Sequence, residues 1–204
     1  MYGSLTEDGE SSTADKPVAR VLGRPNPDGK GWAAVREVLK AEVPAGKMGF
    51  PLLFGPYAAC GLDGILMSYK CHASPTTGFY ATFSNDGFSF AAPYLLYETK
   101  THGIYDTGAP LPLVLRDGTQ VIYWREAKRI SELPGEPAAN VVRLAVRQRG
   151  QDWTVLDESP LLFAGAIGKV ELVETSAGEG ILLYDDEGTL RAITHESLRN
   201  ALRM

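Results

Sequence analysis

The stretch "FSNDGFSF", Phe83 to Phe90, sets an Asp-Gly pair between alternating aromatic and polar residues. Alternation at a period of two marks strands, and Asp-Gly between two strands marks a hairpin turn. Gly87 takes a positive φ without steric cost, and the Asp86 carboxylate is short enough to accept nearby backbone N–H groups. The same spacing of Gly and an aromatic three residues later recurs in "DGKGW" (Gly29, Trp32) and "RGQDW" (Gly150, Trp153). The three aromatics lie 58 and 63 residues apart.

A second pattern runs between these copies. It is an apolar strand, a Gly-containing turn and a second apolar strand ending in Tyr: "YAACGLDGILMSY", "LPLVLRDGTQVIY" and "VELVETSAGEGILLY". The closing residues, Tyr69, Tyr123 and Tyr184, are 54 and 61 residues apart. Two interleaved patterns of one period imply a repeating unit of two hairpins, which is one four-stranded antiparallel sheet. Serial sheets of this kind are what a β-propeller presents. The competing reading is a set of unrelated hairpins in a β-sandwich, where Asp-Gly turns are also common.

The register predicts an all-β, propeller-like fold of about three units, at 52–97, 111–163 and 169–195. A hairpin over 18–39 is positioned to complete the last unit, and the array is expected to be incomplete or completed by oligomerisation. Residues 1–16, "MYGSLTEDGESSTADK", read as a flexible arm before a domain over 17–204. Two segments also fit amphipathic helices: "WAAVREVLKAEV", with Trp32, Val35, Leu39 and Val43 at helical spacing, and "HESLRNALRM".

Composition narrows the partners. With 204 residues, 44% hydrophobic and 22% charged, the chain is long enough to bury a core. A net charge of -5 and 20 Lys and Arg against 25 Asp and Glu give phosphate-rich partners no basic surface, so neither nucleic acid nor membrane is expected. The first residues carry neither a secretory signal nor an apolar anchor, which makes the cytoplasm the default location. Cys60 and Cys71 flank the "GLDG" turn. If Cys60 pairs with Ile65, Cys71 lies about 20 Å further on at about 3.3 Å per residue, so two free thiols are expected.

The motif "SNDGFSF", Ser84-x-Asp86-Gly87-x-x-Phe90, resembles the turn motif of sugar-processing propellers. It is similar to the Asp-box of sialidases but one residue shorter between Asp and Gly, a spacing closer to the five-bladed arabinanase, xylosidase and invertase group. "GIYDTGAPLPLVLRDGTQVIYW" resembles a blade start in that group: an Asp near a Pro, a strand, Asp-Gly, and an aromatic-rich strand. The resemblance spans roughly 50–163. It implies glycoside hydrolysis by three carboxylates from successive blades, whereas here only Asp106 stands at a blade start.

In a blade, the first strand begins and the second strand ends on one rim. Asp106 and the residues after each Tyr are therefore expected to share a face, and aligning on Tyr sets His72 beside Glu126, with Glu187 close to the third position. Asp106 and Glu126 are the candidate catalytic acids, since glycosidic cleavage needs an acid and a base or nucleophile. Tyr105 and Trp124 are candidate sugar platforms, with His72, His102 and Arg125 as polar contacts. The structural alternatives are a turn cap for Asp106, a solvated charge cluster for Glu126 in "REAKR", loop histidines, and a core position for Trp124. His72, His102 and His195 lack metal-ligand spacing, and no phosphate loop or nucleophile elbow is present, so no metal or cofactor is expected. Three functions remain open: a module that binds a carbohydrate or a protein partner, a glycoside hydrolase or a fragment of one, and a structural subunit of a homo-oligomer or larger assembly.

Overall fold

The computed structural model describes residues 2–6, 18–23, 36–42, 52–73, 76–99, 108–129, 138–163, 167–186, 188–197 and 200. They form antiparallel strands in four sheets. The first sheet holds β1 (Tyr2–Thr6), β2 (Val18–Gly23) and β3 (Arg36–Glu42). The second holds β4 (Leu52–Gly61), β5 (Gly64–Ala73), β6 (Thr76–Ser84) and β7 (Tyr94–Thr99). The third holds β8 (Leu111–Val114), β9 (Gln120–Arg129), β10 (Ala138–Arg147) and β11 (Thr154–Phe163). The last holds β12 (Ile167–Glu174), β13 (Gly180–Asp186) and β14 (Thr189–His195). In each sheet the strands lie in chain order, the meander expected of a propeller blade. Among the described residues no helix is long and apolar enough to cross a membrane.

By its contacts the chain divides into two compact units, Met1–Ile104 with Ala109–Pro112, and Tyr105–Gly108 with Leu113–Met204. In the first unit β1 pairs with β2 from Tyr2↔Gly23 to Thr6↔Ala19 and packs along β4. This corrects the flexible-arm reading for Tyr2–Thr6, because backbone pairing stabilises a segment whose side chains carry no strand signal. It also gives the hairpin of β2 and β3 a sheet of its own with β1. Arg36–Glu42 is a strand and not a helix, and Val38 and Leu39 are both buried. The turn at Asp28-Gly29 and Trp32 lies outside the described residues, as does most of "HESLRNALRM".

The core of the first unit gathers Val38, Leu39, Met67, Tyr69 and Cys71, with Tyr80, Phe88 and Phe90 packed against it. Phe90 thus folds back from the opening hairpin onto the sheet. Tyr69 and Tyr80 are cross-strand partners stacked at 5.3 Å, and Phe79 and Tyr97 stack at 6.0 Å across the next pair. Burial raises the Tyr69 phenol above its ordinary range, with Cys71 adding to the effect. Leu66, Met67, Ser68 and Tyr69 are consecutive and all buried, as are Val121, Ile122, Tyr123 and Trp124 in the second unit. Burial of successive residues means that both faces of β5 and β9 are covered, which is why these strands read as unbroken apolar runs. Each such large side chain contributes about 1.5–3 kcal/mol through burial.

The two cysteines are free, Cys60 exposed and Cys71 buried, and Cys60 does pair with Ile65.

Candidate functional site

The site expected from the sequence lies where second strands end, so the hairpins that open β5, β9 and β13 fix which residues occupy it. Gly61 pairs with Gly64 across a two-residue turn. The next two hairpins have three-residue turns: Leu115 N–H donates to Thr119 C=O at 2.8 Å and Gly118 N–H to Leu115 C=O at 2.9 Å, and Thr175, Glu179 and Gly178 repeat the arrangement. Gly118 and Gly178 have φ of 86° and 83°, the left-handed conformation that closes such a turn.

Counting from the closing pairs makes Gly64, Thr119 and Glu179 equivalent. Ser68 then corresponds to Tyr123, Tyr69 to Trp124 and Tyr184, Lys70 to Arg125, and Cys71 to Glu126. The contacts agree with this register. The Ser68 hydroxyl donates to the Pro110 carbonyl at 2.7 Å, and the Tyr123 hydroxyl accepts Leu172 N–H at 3.0 Å, so both reach the backbone of a strand entry or strand beyond their own sheet. Alignment on Tyr69 and Tyr123 is therefore off by one. His72 and Glu126 are not equivalent positions, and single steps along a strand alternate between faces. The strands also run past these tyrosines, β5 to Ala73 and β9 to Arg129.

At the far end of β5, Leu52 pairs with His72, His72 with Thr77 and Thr77 with Thr99. Lys70 and Thr77 are buried there, and the Thr76 hydroxyl donates to Glu98 Oε1 at 3.0 Å. Sequence reading passed over Lys70, Thr76, Thr77 and Glu98. The register would have found Lys70, as the counterpart of Arg125.

In the second unit, Gly108 N–H donates to the Arg125 carbonyl at 2.7 Å. A Cβ on Gly108 would stand 3.4 Å from the Arg125 Cβ, so the backbone lies close over β9 at that residue. This contact brings the end of the "YDTG" segment to the residue before Glu126, which pairs with Val141. Arg125 is half-buried. Tyr105, Asp106 and His102 lie outside the described residues, and for His72 and Glu126 the strand position alone is described. Trp124 is 1% exposed, which corrects its assignment as a platform: a ring enclosed on both faces cannot stack on a sugar. Among the described residues no three His, Cys, Asp or Glu side chains gather as metal ligands would.

No protein-family model and no curated protein sequence matches the chain. Solved structures do match. An endo-arabinase from Bacteroides thetaiotaomicron aligns with 95% of this chain and 69% of its own, at 17% identity and a TM-score of 0.50. An alpha-L-arabinofuranosidase from Fusarium graminearum, bound to an iminosugar inhibitor, aligns with 98% of this chain and 57% of its own, at 11% identity and a TM-score of 0.56. A mutant form of the Fusarium enzyme gives 0.53, covering 91% of this chain and 54% of the other. The chain spans little more than half the length of the Fusarium enzyme. These are β-propeller enzymes, and the likeness establishes the fold of this chain as an all-β, propeller-like array of antiparallel sheets.

Proposed function

We propose that this protein is a propeller-like module that binds a glycan without cleaving it, with arabinose-containing oligosaccharides the first class to test. The observation that carries this reading is the likeness, over nearly the whole chain, to an endo-arabinase and an alpha-L-arabinofuranosidase. Fold alone does not transmit chemistry, and the sequence offers one acid, Asp106, at a blade start where the resemblance implies three. The binding residues are assigned to the second unit, on the segment Tyr105–Gly108 and on Arg125 and Glu126 of β9. An Arg guanidinium at the end of a strand and a Tyr on the adjoining segment suit a sugar, the first by donating to its hydroxyls and the second by covering an apolar ring face.

The second reading, glycoside hydrolysis by Asp106 and Glu126, is favoured by the hydrogen bond from Gly108 to Arg125. Gly108 is two residues from Asp106, and Arg125 adjoins Glu126, so chain connectivity keeps both acids within a few residues of one contact. Isothermal titration with linear arabino-oligosaccharides, run beside a reducing-end assay on the same samples, separates the two. Binding that is weakened by Arg125→Ala, with no turnover, supports the module. Turnover abolished by both Asp106→Asn and Glu126→Gln makes the protein a hydrolase, and neither heat nor turnover on any glycan removes the carbohydrate reading.

A further inference from the structure

The last strands of the four sheets differ in how their outer edges are guarded. An outer edge presents a row of backbone N–H and C=O groups that pairs with any extended chain of matching register, and natural sheets blunt it with Lys, Pro, acids or bulges. β3 contains Lys40 and is shifted in register against β2. β7 follows Pro93 and is shifted against β6. β11 contains Asp157, Glu158 and Pro160 and is shifted against β10. β14 contains no Lys, Pro, Asp or Glu, and it pairs with β13 from Asp186↔Thr189 to Gly180↔His195 without a shift. Every residue of β14 is exposed, Leu190 at 74% and Ile193 at 43%. Where the sheets β4–β7 and β8–β11 continue to a fourth strand, the sheet β12–β14 has three among the described residues.

The sequence of β14, "TLRAITH", selects an occupant. Laid antiparallel on a second copy of itself about Ala192, it overlaps along its whole length. Thr189 stands opposite His195, Leu190 opposite Thr194, Arg191 opposite Ile193, and Ala192 opposite its own copy. The only Arg of the strand then meets an aliphatic side chain. An axis at Arg191 would set two guanidinium groups directly opposite, and an axis at Ile193 would set Arg191 against His195. Either shift also shortens the ladder, and like charges directly opposite are destabilising. Overlap and charge therefore choose the same register.

We propose that the protein forms a two-fold dimer in which β14 of one protomer pairs antiparallel with β14 of its partner about Ala192, joining two three-stranded sheets into one of six strands. Such an interface is isologous: each edge supplies both the donors and the acceptors that the other requires.

Light scattering on the 204-residue chain of 22.1 kDa tests this, across a dilution series. The expected mass for the wild type is twice that of the chain. Ala192→Lys and Ala192→Glu each place like charges opposite one another on the axis and are expected to run at the monomer mass. An equimolar mixture of the two variants is expected to recover the dimer mass, since Lys then faces Glu. Ala192 is exposed, so thermal melts of both variants should match the wild-type monomer and separate a charge effect from unfolding. A wild-type monomer at every concentration would mean that the edge serves another chain or segment, and would overturn the proposal. So would a dimer that survives Ala192→Lys, a mixture that stays monomeric, or a ladder of higher masses, which would signal open head-to-tail pairing.

Discussion

The hairpins β4–β5 and β8–β9 hold the same place in the two four-stranded sheets, and they differ by one residue of turn. The first closes at Gly61↔Gly64, and the second at Leu115 and Thr119 with Gly118 at a φ of 86°. In the second, glycine is needed for its conformation: a Cβ there would meet nothing within 4 Å. In the first it is needed for space as well. A Cβ on Gly64 would come within 2.3 Å of the Ser84 carbonyl oxygen and 2.9 Å of the Asn85 Cα, at a φ of 144°. The β4–β5 turn is thus wedged under the start of the Ser84–Phe90 hairpin. One residue of turn length changes both the job of the glycine and the register of everything after it.

The largest effect expected from this contrast is at Gly64. Gly64→Ala forces backbone against backbone and should cost about 3 kcal/mol or more. Gly118→Ala, strained in φ but unobstructed, should cost about 1 kcal/mol. Urea denaturation of both variants checks the ranking. Equal losses would mean that the close approach to Ser84 does not hold in solution.

The register equivalence of Ser68 and Tyr123 gives the next effect. Tyr123→Phe leaves the Leu172 N–H without the hydroxyl that now accepts it, in a buried setting, and should cost about 1–2 kcal/mol. Ser68→Ala removes a donor from the Pro110 carbonyl, which keeps a second lone pair for other partners, and should cost about 1 kcal/mol or less. A loss for Ser68→Ala that exceeds the loss for Tyr123→Phe would break the equivalence.

These cases show what the sequence discloses. The Asp86-Gly87 and Gly150 turns were legible because the backbone chemistry of a turn is written in a few adjacent residues, and both glycines do take φ of 78°. Tyr69 and Tyr123 looked equivalent because both follow apolar runs, yet turn length decided the register, and a two-residue turn "LD" is not marked off from a three-residue turn "RDG" by hydrophobic pattern. The strand Tyr2–Thr6 was hidden for a different reason, since its pairing with β2 is a long-range choice with no local cause. Trp124 illustrates the candidate site. An aromatic at the end of an apolar run reads equally as platform or core, and what settles it is burial on both faces of β9, a property of neighbouring strands.

The smallest effect concerns the two turns that join third and fourth strands. At Ser84–Phe90 the Asp86 carboxylate accepts Ser89 N–H at 2.7 Å, Phe88 N–H at 2.8 Å and the Ser84 hydroxyl at 2.8 Å, while the Ser84 oxygen accepts Gly87 N–H. At the corresponding turn Gln151 N–H donates to the Gln148 carbonyl, and the Arg147 guanidinium, bonded to Gln120 Oε1, lies 5.2 Å over the Trp153 ring. One turn is organised by an anion, the other by a carbonyl and a cation. The Ser89 and Phe88 N–H groups, with the Ser84 hydroxyl, hold the Asp86 carboxyl well below the usual carboxylate range. A carboxyl depressed in the folded state contributes stability that is complete above its unfolded value of about 3.9 and is lost as pH falls below it. Asp86→Asn keeps an acceptor oxygen and removes the charge, so wild type should melt higher than the variant at neutral pH and the gap should close as the pH is lowered through 4. Arg147→Lys, at the other turn, should lower the melting temperature by an amount that does not change over that range, because guanidinium and ammonium groups both stay charged throughout. A gap at Asp86→Asn that persists unchanged into acid would mean that the carboxylate organises the turn by its shape alone, and the contrast between an anionic and a cationic turn would fall.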